Sequence, residues 1–305
     1  MKGKVSNPNF ILEEIPESER LQSVSQNEDD EDAMDIDDGI PFTKKMRIET
    51  RKIHNISDTL VNAKLGLAMS DDKIWAEGLL IFYEIFKFLE AAMLRLGPKY
   101  EPFKRMHKVI IGAERTRAFE QDLEFFQPGY LKEYPIRPSV AEYLKHLQTL
   151  EQREPLRLLA YIYHLYLGLL SGGQILKRKR DLRNRFKTKV GGLLQWCGLY
   201  KSPSLSDNVA GELHIPGGAV TYFGDGRSIA DIKKEIAYTM NDIASDLSRD
   251  EKNSLLEESL EVFRRNNEII GSIQHTGMVV LKSYAAYFFL ILSIGTAVYL
   301  YWCHE

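Results

Sequence analysis

One histidine and one glycine-rich segment are the parts of this sequence whose residue types and spacing could do chemistry. Asp58 follows His54 by one helical turn, where a carboxylate can fix the tautomer of an imidazole that binds a metal. Arg47 and Arg51 precede His54 by seven and three residues, so they fall on the same side of a helix. A lone histidine is more often an ordinary, partly buried side chain, and the spacing leaves both interpretations open.

The second feature is the segment LYLGLLSGGQIL, in which Gly168, Gly172 and Gly173 interrupt an otherwise good helix. Each glycine in a helix interior costs about 1 kcal/mol relative to alanine. The three glycines should therefore weaken and kink the helix. A bare backbone can approach a flat ligand closely, or it can let two helices cross closely, and spacing alone does not separate these alternatives.

The elements that would position these residues are helices, because apolar residues recur three and four apart from Thr43 onward and alternating patterns are nearly absent. The fold class is therefore all-α. The first helix carries its apolar face at Ile53, Ile56, Leu60, Ala63, Leu65 and Leu67. Further helices are predicted over 74–94 (between the cap signal Ser70-Asp71-Asp72 and Gly97-Pro98), 118–126, 139–150, 156–177, 229–243 and 248–271, the last opened by a Ser248–Glu251 capping box.

Composition divides the chain into three parts. Residues 1–42 are acidic and poor in aromatic residues, which predicts a disordered tail, with a docking arm for a basic partner as the alternative. Residues 43–276 form the helical domain, in which 178–226 is an enlarged, polar loop. Residues 277–305 contain the charge-free run Ser283–Trp302, long enough to cross a bilayer, with a buried core helix as the alternative. We expect a C-terminal transmembrane helix, with the rest of the chain facing the cytosol.

Other function classes find little support. The two cysteines exclude a disulfide framework and any cysteine-rich metal site. The remaining histidines show no metal-ligand spacing; they are His107, His146, His164, His214, His275 and His304. The basic run over 177–189 is interpreted as a solvated face, or as a patch for anionic lipid or an acidic protein, and no nucleic acid is expected as a partner.

Three segments together resemble the heme oxygenase family. YLGLLSGGQILK (166–177) resembles the family's distal signature, FEQDLEFF (119–126) resembles the stretch upstream of it, and RKIHNISD places His54 at the proximal position. The resemblance runs from about Thr43 to about Ile273, and the apolar C-terminal run is similar to the anchor of the microsomal animal enzymes.

The resemblance implies a heme oxygenase-like domain in which His54 binds the iron of heme b, which is both substrate and cofactor, and Asp58 supports it. Gly168, Gly172 and Gly173, with Tyr163, would form the catalytic distal side. The implied heme contacts elsewhere are Arg47, Arg51, Lys233, Phe263 and Asn266, whereas a family arginine one turn after Lys233 is Ala237 here. The implied reaction cleaves heme to biliverdin, carbon monoxide and ferrous iron, using dioxygen and electrons from NADPH through a flavoprotein reductase. The implied location is the endoplasmic reticulum membrane, and biliverdin reductase is a further candidate partner.

One departure from the family pattern bears on mechanism. The family has an aspartate after the first distal glycine, which organises waters that deliver protons, and this chain has Leu169. Leu165 replaces a family arginine and Phe86 a family tyrosine of the same network. Since these side chains cannot hydrogen-bond, we expect lower activity or relaxed choice of the cleaved ring position. The alternatives are a heme sink or sensor that does not cleave the ring and, from another class, a membrane-anchored helical adaptor without enzymatic activity.

Overall fold

The structure is a computed structural model that describes residues 39–65, 71–129, 131, 134–182, 217–224 and 226–274, with five isolated positions at 292, 295, 296, 299 and 302. Its helices are α1 (Phe42–Leu65), α2 (Asp72–Leu96), α3 (Glu101–Ile110), α4 (Thr116–Phe126), α5 (Pro138–Arg153), α6 (Leu158–Gly168), α7 (174–182), α8 (Ile229–Ser245) and α9 (Arg249–Gly271). None of the residues so described forms a strand, and the predicted all-α class is confirmed for them.

The helix α6 lies at the centre of the domain. Every side chain from Leu158 to Tyr163 is buried, which is expected of a helix that is apolar on all sides. It packs against α9 and α8, while α9 also lies along α1. The two segments singled out by the sequence, on α1 and at the end of α6, are therefore held by the same neighbouring helix.

The buried face of α1 differs from the predicted one. Ile56 is 62% exposed, and Ile53 is only half-buried. The side chains that face the core are Phe42, Thr43, Met46, Thr50 and Ser57. The hydroxyls of Thr50 and Ser57 donate to the carbonyl oxygens four residues earlier, at 2.7 and 3.0 Å, and this bond allows two polar residues to lie on the buried face. The prediction was wrong for Ile56, because it counted apolar residues only, whereas Leu60 packs against the core as predicted and Leu67 lies outside the described residues.

The predicted helix over 156–177 is divided in the structure. A 3₁₀ turn (Pro155–Arg157) precedes α6, and a π-helical turn (Leu169–Gly173) follows it before the chain continues into α7. The π turn contains Gly172 and Gly173 and begins directly after Gly168. The predicted irregularity at the glycines is thus present as a local widening of the helix, of a kind that is frequent at functional sites.

Two carboxylates, the half-buried Glu90 and the buried Glu258, tie α6 to its neighbours. The Tyr166 hydroxyl donates to Glu90 of α2 at 2.7 Å, and Glu90 also accepts from the backbone N–H of Arg115 and of Thr116 at the start of α4. The Tyr161 hydroxyl donates to Glu258 of α9 at 2.5 Å. Because a buried carboxylate must be hydrogen-bonded, these contacts fix the position of the central helix.

The helix caps agree with the sequence in two places. The carboxylate of Asp71 accepts from the backbone N–H groups of Lys73 and Ile74 at the start of α2, and Ser248 and Glu251 form the predicted capping box of α9. A second capping box, Ser228 with Asp231 at the start of α8, was not predicted. Leu94, the last residue of the predicted helix over 74–94, is 61% exposed within α2.

The basic run is not simply a solvated face. Arg180 is 8% exposed and lies over the rings of Trp75 and Phe126, with its guanidinium carbon 4.9 and 5.0 Å from their centroids. Its Nη2 also pairs with Asp72 at 2.5 Å. The interpretation is therefore wrong for Arg180, whose side chain helps to join α7 to α2.

The structure describes only parts of the enlarged loop and of the two ends of the chain. Within the predicted loop, 178–182 belong to α7 and 219–221 form a 3₁₀ turn, whereas 183–216 lie outside the described residues. The acidic tail up to residue 38 and most of the predicted anchor also lie outside them. Among the residues that are described, no helix has both the length and the apolar character needed to cross a membrane.

Candidate functional site

His54 is oriented by Asp58, as the sequence predicts. Nδ1 of His54 lies 3.1 Å from Oδ2 of Asp58, one turn along α1, and both side chains are about half exposed. The hydrogen bond to Asp58 raises the pKa of His54 above its ordinary value, although partial burial acts in the opposite direction. With Nδ1 held in this way, Nε2 is the nitrogen that can coordinate a metal.

Phe263 of α9 lies against the ring of His54. The ring centroids are 5.3 Å apart and the planes are tilted by 59°. A second ring beside Phe263 is that of His164 of α6, at a centroid distance of 5.0 Å. The structure therefore brings together His54 and Phe263, two of the residues named from the sequence, and adds His164 to them.

The glycine-rich segment presents bare backbone to open space. Apart from adjacent residues and the backbone of its own helix, a Cβ atom built at Gly168 or at Gly172 meets no described atom within 4 Å. A Cβ atom at Gly173 would lie 2.8 Å from Cδ1 of Leu169. The alternative of a close helix crossing is thus not supported at Gly168 and Gly172, and the arrangement favours the approach of a flat ligand.

The polar positions expected on this side are apolar and packed. Phe86 is 2% exposed and lies 5.3 Å, between ring centroids, from both Phe119 and Tyr166. Leu165 is 5% exposed, and the side chain of Leu169 lies beside Gly173. The side chains of Phe86, Leu165 and Leu169 cannot hydrogen-bond to a water molecule. The described part of the site therefore lacks, at these three positions, the proton-delivering groups of the family pattern.

The remaining residues named from the sequence lie farther from one another. Arg47 and Arg51 are exposed on α1, Lys233 is half-buried on α8, and Tyr163 is buried in α6 beside His164. Asn266 accepts a hydrogen bond from the hydroxyl of Tyr143 at 3.1 Å through Oδ1, so this amide oxygen is engaged with α5. Of the whole set, His54 contacts Asp58 and Phe263, and the basic residues lie on two helices, Arg47 and Arg51 on α1 and Lys233 on α8.

Sequence reasoning missed His164, because it searched for histidines with metal-ligand spacing. The available signal was its position one helical turn before Gly168, which places the two residues on the same face of α6. Its Nε2 atom is inaccessible to solvent and has no hydrogen-bond partner. A buried polar atom of this kind calls for an explanation.

Comparison with known proteins identifies the family. A family model described as Heme oxygenase matches residues 40–272. The chain belongs to the heme oxygenase family. Human Heme oxygenase 1 is 29% identical over 148 residues, which cover 45% of this chain and 48% of that protein. The chain thus spans about half the length of the curated relatives it matches.

Solved heme oxygenases share the fold. Heme oxygenase 2 from Chlamydomonas reinhardtii, crystallised without heme, has a TM-score of 0.62 and 28% identity and is matched over 77% of this chain and 98% of that one. Heme oxygenase-1 from Synechocystis, in complex with heme, has a TM-score of 0.61 and 19% identity over 83% of this chain and 100% of that one. The all-helical heme oxygenase fold is confirmed by these likenesses.

The residues present fit heme, which heme oxygenases bind. His54 offers Nε2, while Gly168 and Gly172 leave room where any larger residue would project a side chain. The solvent-inaccessible Nε2 of His164 is a further nitrogen close to the same place. These features match a flat, apolar macrocycle with a metal at its centre.

Proposed function

We propose that this protein is a heme oxygenase that cleaves heme to biliverdin, carbon monoxide and ferrous iron with dioxygen and electrons from NADPH. The observation that carries the proposal is the His54–Asp58 pair on α1 together with open backbone at Gly168 and Gly172, on the fold of this family. Bound heme supplies both the iron that activates dioxygen and the ring that is cleaved.

Each residue has a defined task in this proposal. His54 binds the iron through Nε2, and Asp58 accepts a hydrogen bond from Nδ1, which fixes the ring and increases its basicity. Gly168 and Gly172 let the backbone of the π turn approach the macrocycle. The positive charges of Arg47, Arg51 and Lys233 are of the kind that pairs with the two propionate groups of heme.

The apolar distal side supports a reduced rate or a relaxed choice of ring position. Phe86, Leu165 and Leu169 neither donate nor accept hydrogen bonds, so protons must reach bound dioxygen by a less ordered route. The same observation favours the second candidate function, a heme sink or sensor that binds heme without cleaving it.

Turnover separates the two candidate functions. Hemin should be bound to the full chain in detergent, and NADPH and a flavoprotein reductase added. An oxygenase gives biliverdin and carbon monoxide in equal amounts, with one ferrous iron for each. A spectrum of bound heme that persists without biliverdin, while the human enzyme turns over in the same mixture, would establish the sink and refute the oxygenase.

We further propose that residues 277–305 anchor the protein in the endoplasmic reticulum membrane, as in the microsomal animal enzymes. The electron donor would be a membrane-bound flavoprotein reductase. Biliverdin reductase is a candidate partner that would act on the product. The absence of charge over residues 283–302 and the aromatic residues at both edges of this run support the anchor. The chain should sediment with microsomes and resist extraction by carbonate, and a chain without residues 277–305 should not. Equal behaviour of the two chains would contradict the anchor.

A further inference from the structure

His164 has an atom that the fold does not use. The side chain lies on α6 between Tyr163, whose ring centroid is 5.1 Å away, and Phe263 of α9 at 5.0 Å. Its Nε2 is inaccessible to solvent and has no hydrogen-bond partner. Burying a polar nitrogen without a partner is unfavourable, so a ligand that can meet this atom would remove the penalty.

His164 lies close to both parts of the proposed heme site, the glycine segment and His54. It precedes Gly168 by one helical turn, so it shares the face of α6 that continues into open space at Gly168 and Gly172. Phe263 contacts both His164 and His54, so one flat aromatic ring connects the two imidazoles. The two imidazoles are therefore at most about 10 Å apart between centroids.

The chemistry that two nearby histidines suggest is metal coordination, and the surroundings narrow the choice. Among the residues that the structure describes, no group of three or more histidine, cysteine or acidic side chains could hold a metal ion. A bare ion would therefore find too few ligands here. The iron of heme already has four nitrogen ligands from the macrocycle and needs one or two more, which two imidazoles can supply.

We propose that His164 is a second axial ligand of bound heme, so that the iron is held between Nε2 of His54 and Nε2 of His164 until dioxygen displaces His164. This inference rests on the proposed heme binding through His54. It names the resting form of that site, and it assigns a role to a residue outside the family's distal glycine segment.

Binding of heme between the two imidazoles requires a local rearrangement that includes the ring of Phe263. Two imidazoles on one iron have their centroids about 6 Å apart, because each metal–nitrogen bond is about 2 Å long. The present separation, at most about 10 Å, therefore differs from this value by no more than a few ångström, and the half-buried ring of Phe263 must turn out from between the imidazoles to admit the macrocycle. The π turn beside His164 contains glycines, which makes this end of α6 easier to adjust.

The state of His164 suits coordination. Burial, together with the nearby charge of His54, lowers the pKa of His164 to about 3. The imidazole is therefore neutral at physiological pH. The described aromatic rings beside it belong to Tyr163 and Phe263, and the charge that affects its pKa is that of His54.

Spectroscopy of the ferric complex tests the proposal directly. Hemin should be added to the full chain in detergent at neutral pH, and the optical spectrum and the electron paramagnetic resonance spectrum recorded. We expect a six-coordinate, low-spin ferric heme. The His164→Ala variant should become high-spin, and free imidazole added to that variant should restore the low-spin signal. Carbon monoxide should associate with the reduced variant about tenfold faster or more, since no ligand must leave first.

Controls distinguish this inference from the proposed function. His164→Leu replaces the imidazole by an apolar side chain of similar size and should give the same high-spin result. His107→Ala, on helix α3, should leave the spectrum unchanged. Loss of hemin binding in His54→Ala would support the proposed function. The absence of hemin binding by the unchanged protein would contradict it. A high-spin spectrum of the unchanged protein, or a low-spin spectrum that persists in both His164 variants, would overturn the second ligand while leaving heme binding through His54 intact.

Discussion

At the scale of single residues, the account depends on the hydrogen bond between His54 and Asp58. A carboxylate that accepts from Nδ1 makes the imidazole a stronger base and presents Nε2 to the metal. The same bond raises the pKa of His54, so protons compete with iron for the ring at a higher pH than they would for an isolated histidine. Affinity for heme should therefore depend on pH in a way that Asp58 controls.

The variant Asp58→Asn tests this dependence. Without the carboxylate, the affinity for hemin at alkaline pH should fall by about 10- to 100-fold, as for other outer-shell partners of metal-binding histidines. The pKa of His54 should also fall, so the loss of binding on acidification should begin at a lower pH than in the unchanged protein. Hemin titrations over a series of pH values measure both effects. Identical pH profiles would show that Asp58 does not act on the ligand.

Leu169 offers a test of the missing proton route. Leu169→Asp returns a carboxylate beside the distal backbone, and it should raise the rate of biliverdin formation or concentrate the product in one isomer. Leu169→Met keeps an apolar side chain of similar size and serves as the control. Chromatography of the biliverdin isomers gives the answer, and an unchanged product profile in Leu169→Asp would contradict the proposed cause of low activity.

At the scale of elements, the glycines of the distal segment have different reasons to be small. A Cβ atom at Gly168 meets open space, whereas one at Gly173 meets the flexible end of Leu169. Gly168→Ala should therefore stabilise the protein without heme by about 0.5–1 kcal/mol, because alanine favours helix. The same methyl group should weaken heme binding, since it projects where the macrocycle would lie.

Thermal melting without hemin and hemin titration measure the two opposite effects of Gly168→Ala. Gly271→Ala is the matched control, since its Cβ also meets nothing within 4 Å of the described atoms but it lies at the end of α9. It should leave hemin affinity unchanged. If Gly168→Ala leaves hemin affinity unchanged as well, open space at Gly168 is not part of the heme site.

A second element-scale prediction concerns Glu258, which joins α5, α6 and α9. Its carboxylate is 4% exposed and accepts hydrogen bonds from His146, Tyr161 and Arg157. Glu258→Gln should lower the free energy of unfolding by about 3 kcal/mol, because it breaks a buried charge network. Glu257→Gln, whose exposed side chain makes only a 3.9 Å ion pair with Arg157, should change it little.

The effect of Glu258→Gln should depend on pH. Burial raises the pKa of Glu258, but the hydrogen bonds from His146, Tyr161 and Arg157 outweigh it, and the pKa lies below the ordinary value of 4.5. The stabilisation is therefore present above about pH 4.5 and disappears as the pH falls through the lowered pKa. Denaturant unfolding at pH 7 and at successively lower pH values below 4.5 should show a difference between the two proteins that shrinks as the pH falls. A difference that does not shrink with falling pH would contradict the network.

The elements also show what sequence patterns could and could not predict. The caps of α2 and α9 were predictable because capping is local, and the glycines correctly predicted an irregular helix at the π turn. The buried face of α1 could not be predicted in full. The hydroxyls of Thr50 and Ser57 donate hydrogen bonds within the helix, so these residues can take buried positions that the pattern reserves for apolar residues. The short helix α3 was missed, although Phe103, Met106 and Ile110 are buried at helical spacing.

At the scale of the whole molecule, membership of the heme oxygenase family could be inferred from three short segments. The family match over residues 40–272 agrees closely with the predicted extent of the helical domain. The contact between His54, Phe263 and His164 could not be inferred, because it joins three helices that are far apart in sequence. It depends on the way α6 and α1 both pack against α9.

The most direct test of the central claim is hemin binding by the full chain and by its His54→Ala variant. The account predicts that the full chain binds one hemin with a Soret band characteristic of histidine ligation. It also predicts that His54→Ala loses most of the affinity or shifts the band, while both proteins unfold at a similar temperature without hemin. The same band and the same affinity in both proteins would show that the iron is held elsewhere, and would contradict the site described for this protein.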